Sequence, residues 1–131
     1  MKRASVRFRV DFSPASAVGP GKIALLERIE RRGSLSHAAR DLHMSYRRAW
    51  LLLASLNSAF VEPVAVARMG GYGGGGGTTL TPLGKELIRR YRAFERELEA
   101  RAETCFRPLR AAVRKKARAA TGAPIVRLSE R

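Results

Sequence analysis

Apolar and polar residues alternate strictly near the start of the chain. The apolar set is Val6, Phe8, Val10 and Phe12, and the intervening polar set is Arg7, Arg9 and Asp11. Alternation with a period of two is typical of a strand with one buried face, so the pattern predicts a strand over residues 5–12. Residues 13–21 contain two prolines and two glycines, which predict a loop.

The next segments change to the 3.6-residue period of helices. Apolar residues at helical spacing predict a helix over 22–32, which Gly33 ends, and a short helix over 34–42. Ser45 is a good N-cap for a third helix over 46–60. Its inward stripe is Ala49, Leu52, Leu53, Leu56 and Phe60. Two helices joined by a turn of about three residues form a helix-turn-helix.

The second half of the chain predicts a hairpin and a long helix. Residues 64–67 and 78–81 read as short strands on either side of a glycine-rich tract. Thr81 followed by Pro82 is an N-cap with proline at the first helical position, and Pro108 stops the helix that follows near Phe106.

The long helix carries an apolar seam at spacings of four and three. Its members are Leu87, Tyr91, Phe94 and Leu98, and Cys105 repeats the step of seven. Such a seam is close to the coiled-coil type and too long for so small a domain to bury. We therefore expect Leu87, Tyr91, Phe94 and Leu98 to contribute to a homodimer.

Charge adds an expectation about partners. The chain of 131 residues has 26 Lys and Arg against 11 Asp and Glu, a net charge of +15. This favours polyanionic partners, nucleic acid first and acidic membrane surfaces second. Residues 107–131 hold eight of the basic residues and one acid, a net +7. We expect a domain over 1–106 and a basic, flexible tail over 107–131.

Several classes of function are disfavoured by residue content. Cys105 is the single cysteine and His37 and His43 are the two histidines, so neither a disulfide nor a metal cluster is expected. Neither a membrane span nor a secretory signal is recognisable, which makes the cytoplasm the expected compartment. No catalytic set is suggested, so we expect no enzyme activity and no cofactor.

The order of elements is that of a winged helix-turn-helix. The predicted fold class is mainly α, with a small β-hairpin wing and a long dimerisation helix. In this architecture the first turn of the second motif helix reaches base edges in the major groove of double-stranded DNA. Arg47 and Arg48 suit guanine recognition there, and Ser45 and Tyr46 are candidates for base or phosphate contacts. The plain alternative is that the two arginines are ordinary solvated surface.

The glycine tract is the second candidate element for DNA binding. It lacks the Gly-Lys-Ser/Thr sequence of a nucleotide-binding P-loop and precedes a strand, which disfavours an NTPase. A tip without bulky side chains can bring backbone N–H groups close to a phosphate. Candidate wing contacts are Arg68, Gly71, Tyr72 and Gly73. The alternative is a linker without a role.

Several strings of residues together resemble one known family. They are Gly-Pro-Gly-Lys-Ile-Ala-Leu-Leu at 19–26, Gly-Ser-Leu-Ser-His-Ala-Ala-Arg at 33–40, Met-Ser-Tyr-Arg-Arg-Ala-Trp at 44–50, the glycine tract at 70–77 and Leu-Thr-Pro-Leu-Gly at 80–84. Residues 5–106 resemble the DNA-binding domain of ModE-type, molybdate-responsive regulators. The last string is shared with LysR-type regulators. The resemblance implies a dimeric DNA-binding regulator.

Two departures from the family limit what the resemblance implies. Members of the family carry a molybdate-binding module after the long helix, where this sequence has the basic tail, so molybdate sensing is not carried over. The family often has a basic residue at the position of Tyr72, which puts a charged contact from the wing tip in doubt.

The leading hypothesis is therefore a homodimeric regulator that binds an inverted-repeat DNA site and lacks its own molybdate-binding domain. Two alternatives stay open. One is a non-specific architectural DNA-binding protein whose basic tail dominates binding, and the other is an interaction module whose long helix pairs with another regulator.

Overall fold

The computed structural model describes residues 4–69 and 76–116. The described residues are mainly helical, with two small antiparallel hairpins and a long helix after the second of them. The elements in chain order are β1 (Val10–Ser13), β2 (Ser16–Val18), α1 (Pro20–Arg32), α2 (Leu35–Asp41), α3 (Tyr46–Ala59), β3 (Ala65–Arg68), β4 (Gly77–Leu80), α4 (Pro82–Phe106) and a 3-10 turn (Arg107–Ala112).

The first hairpin corrects the predicted N-terminal strand. β1 begins at Val10 and pairs with β2, so the prediction of a continuous loop over 13–21 is wrong. The reason is that a strand needs a hydrogen-bonded partner, and the partner is the short segment that ends at buried Val18. Residues 5–9 keep the predicted alternation of burial without pairing. Phe12 is 58% exposed, but it lines a groove together with Phe8 and Val10, as the alternation predicts, and its ring meets the Phe60 ring edge-on with centroids 5.9 Å apart.

Helix α1 supplies much of the core and ends as predicted. Its buried residues are Ile23, Leu25, Leu26 and Ile29. The helix begins two residues earlier than predicted, at Pro20, which is favoured in the first turn. Gly33 follows it with φ +67°, and the Gly33 N–H donates to the Ile29 carbonyl over 2.7 Å. Glycine adopts this left-handed conformation without strain, so α1 ends there.

Helices α2 and α3 are joined by a short turn, as predicted. The Ser34 hydroxyl caps α2 by accepting from the His37 N–H over 3.2 Å. Ser45 does the same for α3, accepting from the Arg48 N–H over 3.1 Å. Ala38 and Ala39 of α2 are buried, and such small side chains permit close helix packing.

The second hairpin has a regular register, with Ala65 opposite Leu80 and Arg68 opposite Gly77. Asn57 of α3 fixes its position. The Asn57 Oδ1 accepts from the Val64 N–H over 2.8 Å, and its Nδ2 donates to the Ala65 carbonyl over 3.2 Å. The hairpin base is therefore tied to α3.

Helix α4 runs from the second hairpin back across the domain. The Thr81 hydroxyl caps it by accepting from the Gly84 N–H over 3.1 Å, which confirms the predicted start. Tyr91 is buried, and its hydroxyl donates to the Phe8 carbonyl over 2.7 Å while the two rings stack at 4.4 Å. These contacts hold the N-terminal segment against α4.

An ion-pair network joins α4 to α1. Arg92 donates from Nε to Glu27 Oε2 over 3.0 Å and from Nη1 to Glu95 Oε1 over 2.8 Å. The hydrogen bond to Glu27 raises the pKa of Arg92 above its ordinary value. A planar guanidinium can satisfy both carboxylates at once, so Arg92 sets the position of α4 relative to α1.

Candidate nucleic-acid interface

The first turn of α3 exposes the residues that the sequence singles out. Ser45, Tyr46, Arg47 and Arg48 are all exposed, and Tyr46 is 57% exposed. The opposite face of α3 is buried in the core through Ala49, Leu53 and Leu56. Because residues three and four apart share a helix face, burial of this stripe turns the two arginines outward.

Helix α3 carries positive charges and no negative charge, which favours contact with anions. Its sequence, Tyr-Arg-Arg-Ala-Trp-Leu-Leu-Leu-Ala-Ser-Leu-Asn-Ser-Ala, contains no Asp or Glu. The N-terminus of a helix also carries a partial positive charge from its unpaired N–H groups. Both arginines stand at that end, so their charge adds to the helix dipole instead of opposing it.

A shallow cavity beside this end of α3 also lacks acidic residues. It is lined by Lys22, Ser45, Arg47, Arg48, Leu51, Leu52 and Ser55. Sequence reasoning did not single out Lys22. Its Nζ donates to the Ala17 carbonyl over 2.8 Å and to the Ser55 hydroxyl over 3.1 Å, which links α3 to β2 and the start of α1. The side chain therefore positions α3 as well as adding positive charge.

Arg68 is the last residue of β3 and pairs with Gly77, next to the glycine-rich tract. Its Nη2 donates to the Gly33 carbonyl over 2.9 Å, and the same oxygen accepts from the Thr78 N–H over 3.0 Å. Gly33 lies between α1 and α2, so this carbonyl joins the end of the paired strands nearest the glycine-rich tract to the helices. The other predicted hairpin residues, Gly71, Tyr72 and Gly73, lie outside the described residues.

A second basic surface is formed where α1 packs against the end of α2. An open cavity there is lined by Arg28, Arg31, Arg32, Arg40, Asp41 and His43. Asp41 pairs with Arg32 at 3.3 Å and with Arg28 at 3.8 Å. Sequence reasoning missed this surface, because the residues are dispersed over two helices. The only sign of this surface in the sequence is the number of arginines within residues 28–40.

The predicted dimerisation residues differ in exposure. Tyr91 is buried, Leu87 and Leu98 are half-buried, and Phe94 is 44% exposed. Leu87, Tyr91 and Phe94 help to line an open, mainly apolar groove of about 630 Å³ between α4 and the N-terminal segment. Cys105 is exposed in the single chain.

Among residues 4–69 and 76–116, no group of three or more His, Cys, Asp or Glu side chains is arranged to hold a metal ion. No helix in the same ranges combines the length and apolar character needed to cross a membrane.

Comparison with known proteins gives this surface a context. No protein-family model matches the chain. The molybdenum transport protein ModE of Azotobacter vinelandii is 38% identical over 94 residues, which are 72% of this chain and 34% of the relative. The DNA-binding transcriptional dual regulator ModE of Escherichia coli is 40% identical over 72 residues, or 55% of this chain and 27% of the relative. The chain is a ModE homologue. The resemblance predicted from the motifs is thereby confirmed.

The sequence similarity covers only part of each relative. The molybdenum-pterin-binding protein MopB of Rhodobacter capsulatus is 44% identical over 78 residues, which are 60% of this chain and 28% of MopB. The chain thus spans about a third of the length of the ModE and MopB proteins that it matches.

Proposed function

We propose that the chain is a sequence-specific DNA-binding transcriptional regulator with a winged helix-turn-helix domain. Helix α3 is its recognition helix and the β3–β4 hairpin is its wing. One observation carries the proposal: a capped helix exposes Arg47 and Arg48 in its first turn and has no acidic residue. The regulator names of the ModE relatives support the same function.

In this proposal, Arg47 and Arg48 read base edges in the major groove. A guanidinium pairs bidentately with O6 and N7 of guanine, and each such pair gives about 1–3 kcal/mol of discrimination. Ser45 and Tyr46 contact phosphate or bases beside them. The Ser45 hydroxyl already accepts from the Arg48 N–H, which leaves its O–H free to donate.

The wing contacts the DNA backbone through Arg68, Gly71, Tyr72 and Gly73. Arginine has five N–H donors, so a phosphate contact by Arg68 is compatible with its bond to the Gly33 carbonyl. That bond also holds the guanidinium in place at the end of β3, which limits the entropy lost when a phosphate binds.

The proposed regulator is a homodimer that binds an inverted repeat. A second copy covers the α4 groove, with Phe94 and the neighbouring Leu87 and Leu98 at the contact and Tyr91 supporting it from within. Phe94→Glu is expected to give monomers in size-exclusion chromatography with light scattering. Ala100→Glu is the control, because Ala100 is exposed on the same helix. We expect this variant to remain a dimer. A wild-type monomer contradicts the dimer.

Selection of bound sequences from random DNA tests the function itself. The wild-type protein is expected to enrich one motif, and a variant with Arg47→Ala and Arg48→Ala is expected to lose that preference while keeping weak general binding. The control removes two exposed charges far along the chain, Arg96→Ala with Lys116→Ala, and retains the motif. The proposal is wrong if wild-type protein enriches no sequence.

The same selection separates the competing functions. A non-specific architectural protein would bind DNA without enrichment, and deletion of residues 107–131 would remove most of its affinity. Each lost phosphate contact lowers the slope of log affinity against log salt concentration by about 0.9. A protein-interaction module would show no DNA binding at moderate salt. The proposed regulator keeps its preferred motif after the deletion.

A further inference from the structure

Helix α3 exposes large apolar side chains beside its arginines. Trp50 is 53% exposed and Leu51 is 50% exposed. Leu51 lines the same shallow cavity as Arg47 and Arg48, within which no acidic residue lies. Neither a ring contact nor a hydrogen bond of the Trp50 side chain is found among the described residues. The basic face of α3 is therefore also partly apolar.

Helical geometry places Leu51 at the centre of that face. Successive residues turn by about 100°, so Leu51 lies one turn beyond Arg47 on the same side. The buried stripe of Ala49 and Leu53 lies on the opposite side of the helix. Trp50 lies between the two faces. Its indole therefore flanks the surface on which Arg47 and Leu51 stand.

The charge around Leu51 restricts what can cover it. The face combines two exposed arginines with a half-exposed leucine and has no acid on its helix, so an occupant must offer negative charge and an apolar group within a few ångströms. The major groove of DNA offers both, because phosphates flank it and the C5-methyl of thymine projects into it.

We infer that Leu51, flanked by Trp50, contacts thymine C5-methyl groups and so helps to determine which sequence is bound. The inference rests on the proposed DNA-binding function and adds a second kind of base recognition to it. Arg47 reads the hydrogen-bonding edge of guanine, whereas Leu51 reads a methyl group. A rise of 1.5 Å per residue separates the two by about 6 Å along α3. With about 3.4 Å between bases, the thymine lies one or two base pairs from the guanine.

Replacing thymine by deoxyuridine tests the contact without altering the protein. The substitution removes only the methyl group and keeps every hydrogen-bonding atom of the base. Burial of one such group gives about 0.8 kcal/mol, so the selected site with uracil at this position is expected to bind wild-type protein about fourfold more weakly. Uracil elsewhere in the site has no such effect.

Substitution of Leu51 completes a protein–DNA double-mutant cycle. Leu51→Ala is expected to bind the thymine and uracil sites equally, whereas Leu51→Met retains the discrimination because it keeps the apolar contact. Val61→Ala is the matched control, since Val61 is fully exposed and lies outside α3. It should discriminate as wild type does. Equal discrimination by wild type and Leu51→Ala overturns the inference, as does wild-type indifference to uracil at every position.

Trp50 provides an independent readout because it is the only tryptophan of the chain. Its emission is expected to shift to shorter wavelength when the thymine site displaces water from the indole, and to shift less with the uracil site. An unchanged emission at saturation contradicts the role of Trp50. If an acidic protein covers this face instead, the selection yields no motif, and the proposed function fails with the inference. A motif without methyl dependence overturns the inference alone.

Discussion

The approach of α4 to the second hairpin predicts an unusual response to a glycine substitution. Gly84 is buried in the first turn of α4, and a Cβ added there would overlap the carbonyl oxygen of Val64. Alanine favours a helix over glycine by about 0.8–1.0 kcal/mol, so propensity alone predicts that Gly84→Ala stabilises the protein. The overlap acts in the opposite direction. A backbone oxygen cannot rotate away as a side chain can.

The net change in the free energy of unfolding depends on the steric cost of the added Cβ relative to the gain in helix propensity. Overpacking of this kind costs about 1–3 kcal/mol, and here it also strains the Thr81 N-cap and the hydrogen bond from Thr81 N–H to the Val64 carbonyl. We therefore expect Gly84→Ala to lower the free energy of unfolding by about 1–2 kcal/mol. With a urea m-value of about 2 kcal/mol/M, the unfolding midpoint falls by about 0.5–1 M.

Gly21→Ala is the matched control for this prediction. Gly21 lies in the first turn of α1, as Gly84 lies in that of α4, but an added Cβ there would meet no atom within 4 Å. This variant should unfold at the same or a higher urea concentration, because alanine lowers the entropy of the unfolded chain. A Gly84→Ala protein as stable as Gly21→Ala would refute the close approach of α4 to Val64.

Three other substitutions have defined outcomes. Ser45→Ala removes the cap of α3 and should lower the free energy of unfolding by about 1 kcal/mol in urea titration, with weaker DNA binding. Tyr91→Phe removes the hydrogen bond to the Phe8 carbonyl and costs about 1 kcal/mol at neutral pH. Burial raises the pKa of Tyr91 above 10.0, so wild-type stability should fall as pH rises beyond 10, a loss that Tyr91→Phe lacks. Glu27→Gln weakens the partly exposed pair with Arg92 and should cost under about 1 kcal/mol, less at high salt in thermal unfolding.

The helices were predictable because local signals mark several of their ends. Serine or threonine caps begin α3 and α4, and Gly33 ends α1, so these boundaries depend on neighbouring residues only. The first hairpin was not predictable to the same degree. The pairing of β2 with β1 depends on contacts between strands, and the proline and glycine residues around β2 hide it in a loop-like composition.

The candidate site was likewise predictable from the sequence only in part. Exposure of Arg47 and Arg48 follows from helical spacing, which the sequence contains. The bond from Arg68 to the Gly33 carbonyl joins residues 35 positions apart, and the arginines on α1 and α2 meet only after those helices pack. The first arrangement has no local signal, and the second has only the number of arginines within residues 28–40. Both depend on how the elements are stacked.

The Gly33 carbonyl also affects how the protein would fit onto a DNA duplex. One oxygen accepts hydrogen bonds from both strands of the second hairpin, so the ends of these strands nearest the glycine-rich tract cannot swing away from α1 and α2 without breaking both. The distance between the proposed recognition helix and the paired strands of the proposed wing is thereby set before any encounter with DNA. If DNA contacts both elements, they fit only grooves of one width and spacing. DNA that departs from that geometry must deform to fit, so duplex stiffness would itself become part of the selection.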